Sequence, residues 1–130
     1  MKKVLIAGGT GFVGQNTARL YADAGIPVVV TSRKDKDSVA EKLLAYSDLI
    51  SLEKIDLVDA DAVERLFAKH DFEHAIFLAQ THQAASTRKE INLIYPIVLN
   101  FLESARASGV KRVALASSIA VYGATAPPSI

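Results

Sequence analysis

A chain of 130 residues is long enough for one domain at most, and with half of its residues hydrophobic it can bury a packed core. The formal net charge of +1 gives no reason to expect a nucleic acid or an anionic membrane as a partner. No cysteine is present, which excludes disulfides, thiolate metal ligands and a thiol nucleophile from these residues. The apolar run after Met1-Lys2-Lys3 is too short for a signal peptide or a membrane span, so we expect a cytoplasmic protein.

Apolar, β-branched runs alternate along the chain with stretches of helical periodicity, which is the pattern of a parallel sheet with crossover helices. The predicted strands are residues 3–7, 28–31, 50–55, 75–78 and 112–116. The predicted helices are residues 12–24, 36–46, 60–69 and 89–108. Right-handed crossovers then favour a doubly wound α/β sheet in the strand order 3-2-1-4-5, forming a single domain over residues 1–130.

Short polar residues, glycine and proline predict where the helices begin and end. Gly25 stands where the C-cap of the first helix is expected. Either Asp35 or Asp37 is expected to cap the second helix, and Asp59 the third. Pro96 should kink the last helix or mark a late start for it.

A glycine-rich turn, Gly8 to Gly14, directly follows the first strand and opens the first helix. Glycines let the backbone turn tightly and approach phosphates, and the helix N-terminus offers free N–H groups and the positive end of a dipole. A strand before the turn and a helix after it favour a dinucleotide pyrophosphate site over the alternative, a plain structural turn. The residues assigned to the cofactor here are Gly8, Thr10, Gly11, Phe12, Val13 and Gly14.

The other candidate site residues lie at the carboxyl ends of the remaining strands, where ligands bind in doubly wound sheets. They are Ser32, Arg33, Asp56, Leu57, Leu78, Ala79, Gln80, Ser117 and Ser118.

Six motifs in order make the chain resemble the N-terminal half of the extended short-chain dehydrogenases/reductases, the NAD(P)-dependent epimerase/dehydratase group. They are Gly8 to Gly14, Asp56-Leu57, Phe77 to Gln80, Asn92 with Asn100, Gly109 to Val113, and Ser117 to Gly123. The resemblance covers nearly the whole chain. It implies a Rossmann fold and an NAD(P)-dependent oxidoreductase, epimerase or dehydratase acting on a nucleotide-activated sugar or a related hydroxyl or carbonyl compound.

The resemblance also implies roles at the adenine and nicotinamide ends of the cofactor. The carboxylate of Asp56 would accept a hydrogen bond from the adenine amino group, with the Leu57 backbone beside it. The alternative role for Asp56 is the cap of the third helix. Leu78, Ala79 and Gln80 would lie under the ribose and nicotinamide, although relatives often carry a smaller residue than Gln80.

Three further polar residues receive roles from the same resemblance. Asn92 would support the nicotinamide side, unless it is a mid-helix asparagine that bonds locally. Ser118, four residues before Tyr122, holds the position of the family's catalytic Ser or Thr, whose hydroxyl would bond the substrate oxygen. Ser117 is assigned to the cofactor site or to the strand end. The alternative for both serines is ordinary loop chemistry.

The end of the second strand indicates which cofactor is bound. NAD enzymes usually place a carboxylate there for the ribose hydroxyls, whereas this chain has Ser32 followed by Arg33 and Lys34. A guanidinium and a hydroxyl suit a 2′-phosphate. We therefore expect NADP(H) to be favoured over NAD(H). The alternative is that Arg33, Lys34 and Lys36 form a solvated charged run.

The family's Tyr-x-x-x-Lys pair, in which tyrosine is the general acid/base, is missing from these 130 residues. The resemblance places the pair further along, so we expect a truncated Rossmann core that binds cofactor without turnover by itself. The alternative functions are a non-catalytic dinucleotide-binding or redox-sensing module, or a structural fragment that no longer binds cofactor. An open sheet edge and exposed helix faces predict a homo-oligomer.

The three histidines, His70, His74 and His82, do not have the spacing of a metal site and have no acidic partners in a ligand pattern. We interpret them as surface or loop residues and expect no metal.

Overall fold

The computed structural model describes residues 2–35, 37–80 and 88–118, and for residues 88–93 the backbone alone. The predictions for Lys36, His82, Tyr122 and the loop after it lie outside the described residues.

The described chain alternates strands and helices in the predicted order. The strands are β1 (Lys3–Ala7), β2 (Val28–Ser32), β3 (Ile50–Lys54), β4 (Phe72–Phe77) and β5 (Arg112–Leu115). The helices are α1 (Phe12–Asp23), α2 (Ser38–Tyr46), α3 (Ala60–Lys69) and α4 (Arg88–Ala107). All strand neighbours are parallel and the order is β3-β2-β1-β4-β5, which confirms the predicted topology.

The largest boundary error concerns β4, which begins three residues before the prediction, at Phe72 rather than Ala75. Glu73 and His74 interrupt the apolar pattern there. Phe72 nevertheless pairs with Lys3 of β1, and its buried ring meets Phe67 edge-on at 5.5 Å between centroids. Pairing with the neighbouring strand therefore extends β4 beyond its own hydrophobic run.

The central strand β1 is buried on both faces, as expected for a sheet covered by helices on both sides. Leu5 and Ala7 belong to one hydrophobic cluster, and Val4 and Ile6 to another. The first cluster continues with Val63, Leu66, Phe67, Phe101 and Ala105 of α3 and α4, and the second with Ala18, Ala22 and Leu43 of α1 and α2. These two cores fix the sheet, so that the strand ends form a rigid edge.

The helix ends follow the predicted punctuation. Asp37 caps α2, which therefore begins at Ser38 and not at residue 36, and Asp59 caps α3. Gly25 lies just beyond α1 with φ +74°, a left-handed conformation that favours glycine. Pro96 lies inside α4.

The part of the chain that the structure describes contains neither a membrane-spanning helix nor a metal-binding cluster. None of its helices is long and apolar enough to cross a membrane. Its His, Asp and Glu side chains form no group of three that could hold a metal ion.

Candidate functional site

An open cleft of about 270 Å³ lies at the carboxyl ends of β1 to β4. Its lining residues are Gly8, Thr10, Gly11, Thr31, Ser32, Arg33, Lys34, Asp37, Asp56, Leu57, Ala79, Gln80 and Ile97. A second pocket beside it is lined by Gly8, Gly11, Phe12, Val13, Gly14, Leu78, Ala79 and Gln80. The structure therefore brings together the predicted residues of the glycine turn with those at the ends of β2, β3 and β4.

Three glycines of the turn, Gly8, Gly9 and Gly14, are required by the protein itself, and a Cβ on Gly9 would lie 2.4 Å from the Cβ of the buried Val30. Gly8 has φ +79°, and a Cβ on it would lie 2.8 Å from the amide nitrogen of Ala79. A Cβ on Gly14 would lie 2.4 Å from the carbonyl oxygen of Gly8. Any side chain at Gly8 or Gly14 would displace backbone, so these two glycines make the tight packing of the turn against α1 and β4 possible.

Gly11 differs from these glycines, because nothing in the described part of the chain requires a glycine there. Its φ of −70° is open to any residue, and a Cβ would approach the Gly8 carbonyl oxygen no closer than 3.4 Å. Gly11 is the N-cap of α1, makes no side-chain capping bond, and is followed by a first turn without acidic residues. Gly11 lines the cleft, and the first N–H groups of an α-helix have no partner within the helix, so they can donate to an anion.

Thr31, which was not predicted as a site residue, supports the glycine turn through a hydrogen bond. The backbone N–H of Gly8 donates to Thr31 Oγ1 at 3.2 Å, and Thr31 is only 2% exposed. The available signal was a hydroxyl-bearing residue directly after three consecutive valines in β2. The bond ties the turn after β1 to the neighbouring strand, so the glycine turn does not depend on local contacts alone.

The end of β2 forms the basic side of the cleft, with Ser32, Arg33 and Lys34. The Ser32 hydroxyl accepts from the Lys34 N–H at 3.2 Å. Asp37 also lines the cleft, but its Oδ1 accepts from the first-turn N–H groups of Val39 and Ala40 at 3.1 and 3.0 Å. Its carboxylate is thus partly neutralised by α2, and the side chains at the end of β2 itself are cationic or neutral.

The end of β3 contributes Asp56 and Leu57. Asp56 Oδ1 accepts from the Val58 N–H at 3.1 Å, whereas the cap of α3 is Asp59, whose Oδ1 accepts from Ala62 N–H at 3.1 Å. The alternative assignment of Asp56 as the helix cap is therefore wrong. The turn is also held from α4, where Asn100 Nδ2 donates to the carbonyl oxygens of Leu57 and Val58 at 3.0 and 3.1 Å.

The predicted residues of the nicotinamide side are less concentrated. Ser117 and Ser118 follow β5, are exposed, and are not among the residues that line the two pockets described above. The backbone of Asn92 lies in α4, and its side chain lies outside the described residues. Four lining residues were not predicted as site residues: Thr31, Lys34, Asp37 and Ile97.

The model of the NAD dependent epimerase/dehydratase family matches residues 4–130 of this chain. The chain is similar to the UDP-glucose 4-epimerase of Mus musculus, with 34% identity over 138 residues, 95% of this chain and 39% of that protein. It thus spans about two fifths of the length of the curated relative.

Solved structures share the fold. An epimerase from Methanothermobacter thermautotrophicus is 27% identical with a TM-score of 0.81, covering 99% of this chain and 39% of that one. A UDP-glucose 4-epimerase from Bifidobacterium longum, solved with NAD+ and UDP, is 23% identical with a TM-score of 0.81, covering 94% of this chain and 38% of that one. These similarities agree with the five-stranded parallel sheet described above.

Proposed function

We propose that this chain, which belongs to the NAD-dependent epimerase/dehydratase family, binds a nicotinamide dinucleotide in the cleft at the carboxyl ends of β1 to β4. The observation that carries the proposal is Gly11, a glycine that neither packing nor backbone conformation requires, at the uncapped start of α1. A phosphate group would suit this position, because Gly11 lines the cleft and the first N–H groups of a helix, which have no partner within it, attract anions.

The lining residues divide between the parts of the cofactor. Gly8 to Gly14 would hold the pyrophosphate. Asp56 and Leu57 would receive the adenine, and Ser32 and Arg33 its ribose. The floor under the second ribose and the nicotinamide would be Leu78, Ala79 and Gln80, with Asn92, Ser117 and Ser118 assigned to the same end.

We further propose that NADP(H) is favoured over NAD(H). The support is the cationic end of β2, where Arg33 and Lys34 line the cleft and the nearest lining carboxylate, Asp37, already accepts two bonds from α2. A 2′-phosphate is attracted to such a site. The competing choice is NAD(H), since the solved Bifidobacterium longum relative holds NAD+.

Calorimetric titration with NADPH and with NADH tests both proposals. We expect NADPH to bind more tightly, and Arg33→Ala to weaken NADPH by about tenfold or more while leaving NADH little changed. Arg65→Ala, which removes a cation from α3 outside the cleft, is the control. Equal or tighter NADH binding would reject the NADP preference alone, and binding of neither cofactor would reject the dinucleotide site.

We propose that the reaction served by this domain is epimerisation, dehydration or reduction of a nucleotide-activated sugar or a similar hydroxyl or carbonyl compound. The support is the family and the similarity to UDP-glucose 4-epimerases. When bound, the cofactor supplies the hydride acceptor and donor. Ser118 would hydrogen-bond the substrate oxygen.

The 130 residues themselves contain no Tyr-x-x-x-Lys pair. We therefore expect this polypeptide to bind cofactor without interconverting UDP-glucose and UDP-galactose. A coupled assay that detects turnover would contradict this expectation. Cofactor binding without turnover in any longer form of the chain would favour the second candidate function, a dinucleotide-binding or redox-sensing module.

Self-association and a cytoplasmic location stay predictions. The support for a homo-oligomer is the exposed apolar surface of the edge strand β5, where Val113 and Leu115 are 40% and 48% exposed, and of Tyr95 on α4, which is 72% exposed. A monomer in light scattering at high protein concentration would contradict the predicted homo-oligomer. Fractionation of expressing cells would test the location.

A further inference from the structure

The turn after β3 holds two cleft residues, Asp56 and Leu57, on a short segment without regular structure. Its local bonds are the Asx turn from Val58 N–H to Asp56 Oδ1 and the bond from Asp59 N–H to the Asp56 carbonyl oxygen, at 3.1 Å each. Both bonds shape the turn internally. Neither fixes where the turn as a whole lies relative to the cleft.

Asn100 of α4 supplies a fixed external support for this turn. Its Nδ2 donates to the Leu57 and Val58 carbonyl oxygens at 3.0 and 3.1 Å, across a sequence separation of 43 and 42 residues. Because both partners are carbonyl oxygens, the group that faces them must be the NH₂ of the amide, and its two protons serve two acceptors.

The part of α4 that carries Asn100 is firmly seated. The next residue, Phe101, is fully buried and meets the rings of Phe67 and Phe77 edge-on, at 5.6 and 5.1 Å between centroids. One turn before Asn100, Ile97 is itself part of the cleft lining. The same helix segment therefore contributes to the cleft directly through Ile97 and indirectly through the turn that Asn100 holds.

We infer that Asn100 is a positioning residue for the adenosine end of the cofactor: it places Asp56 and Leu57 by holding the two carbonyls that follow Asp56. The inference rests on the proposed function, since it presupposes that these two residues meet the adenosine. Asn100 does not line the cleft, so it acts through the turn and not by touching the ligand.

The experiment compares Asn100→Asp and Asn100→Leu with a matched control on the same helix, Ala105→Gly. Aspartate has the shape of asparagine but turns an acceptor toward two carbonyl oxygens, and leucine removes the donor. Ala105 is buried in the core away from the cleft, and glycine in the interior of a helix destabilises it relative to alanine. The probe is ADP, which contains adenine, ribose and pyrophosphate, and its affinity is measured by calorimetry beside the Tm of each variant.

We expect both Asn100 variants to weaken ADP by about tenfold, the size of effect that loss of a hydrogen-bonded contact produces. Ala105→Gly should lower the Tm by about as much as the Asn100 variants do. It should leave the ADP affinity of the folded protein unchanged. If the wild type binds ADP and the Asn100 variants bind it equally well, the inference alone is overturned. The same holds if Ala105→Gly weakens ADP binding as much as the Asn100 variants do. If the wild type does not bind ADP at all, both the proposed function and the inference fail.

A measurement on the wild type covers the case in which the Asn100 variants do not fold. In two-dimensional ¹H–¹⁵N NMR spectra, the side-chain NH₂ signals of Asn100 and the backbone signal of Val58 should shift together as ADP is added. The backbone signal of Arg65, on α3 and outside the cleft lining, gives a reference that should not shift. If the signals of the cleft residues shift as ADP is added but those of Asn100 do not change, the inference is overturned.

Discussion

The first turns of α1 and α3 both contain backbone N–H groups that have no partner within the helix, and the two helices differ in how these groups are capped. In α3, Asp59 caps the helix through Ala62 N–H at 3.1 Å, and Asp61 places a second carboxylate near the positive end of the dipole. In α1 the capping position is Gly11, with no side-chain bond and no acid in the first turn. In α3 a side chain of the helix's own start accepts one of the first N–H groups, whereas at α1 no side chain in the described part of the chain does so.

The difference supports the proposal that α1 binds an anion, because among the described residues no side chain caps this helix where it starts at the cleft. α2 supports this interpretation: it also begins beside the cleft, but Asp37 caps it with two hydrogen bonds. A helix that begins beside the cleft is therefore not by itself an indication of an anion site. The uncapped start and the unforced glycine occur together at α1.

The largest effect is expected from Gly14→Ala, which tests whether the fold needs the close packing of α1 against the glycine turn. The new Cβ would lie 2.4 Å from the Gly8 carbonyl oxygen, so the turn or the helix must move. We expect a loss of about 3 kcal/mol or more in the free energy of unfolding. Urea denaturation measures it, and a variant as stable as the wild type would contradict the packing described for this turn.

The second prediction turns α1 into a helix of the α3 type. In Gly11→Asp the backbone is already suited to an N-cap, so stability should change by no more than about 0.5 kcal/mol. The carboxylate would occupy the phosphate position, and we expect NADPH affinity to fall about 100-fold. Gly11→Asn has the same size without the charge and should bind more tightly than the aspartate variant. Unchanged affinity in Gly11→Asp would place the phosphates elsewhere.

The third prediction makes the reverse change at α3. Asp59→Ala removes the capping acceptor and should lower the free energy of unfolding by about 1 kcal/mol. NADPH affinity should be the same as in the wild type, because Asp59 is outside the cleft lining. Thermal unfolding and calorimetry measure the two quantities. A loss of affinity without a loss of stability would mean that the two helix ends are not independent.

The smallest effect concerns the other end of α3, where Lys69 Nζ donates to Glu53 Oε1 at 2.6 Å and His70 Nε2 lies 2.9 Å from the same oxygen. Burial raises the pKa of Glu53, but the hydrogen bonds and charges of Lys69 and His70 outweigh it, so the pKa of this carboxyl lies below its ordinary value. The ionised form therefore stabilises the fold above the ordinary carboxyl pKa. That contribution is lost as the pH falls through the lowered value.

We expect Glu53→Gln to cost less than about 1 kcal/mol at neutral pH, with the difference from the wild type disappearing at acidic pH. Denaturation curves measured across the acidic range test the sign. A difference that grows on acidification would contradict the lowered pKa. Glu73→Gln gives a second test of the same sign, because the hydrogen bond and charge of Lys111, 2.8 Å away, also lower the pKa of Glu73.

Local patterns in the sequence by themselves determined the order of elements, the strand topology, the glycine turn and the cap at Asp59. Each of these depends on neighbouring residues: hydrophobic periodicity, turn glycines, and a short acid before a helix. Even the grouping of Ser32, Arg33, Asp56 and Ala79 at one edge follows, because parallel strands in a known order bring their carboxyl ends together.

Only the tertiary structure decided the contacts between distant segments. It extended β4 back to Phe72 through pairing with Lys3, placed Thr31 under the Gly8 N–H, and set Asn100 against the turn after β3. It also distinguished Gly11 from Gly8 and Gly14, which the motif alone treats as equivalent. These facts depend on which backbone atoms meet across the fold, and a residue's own neighbours in sequence carry no information about that.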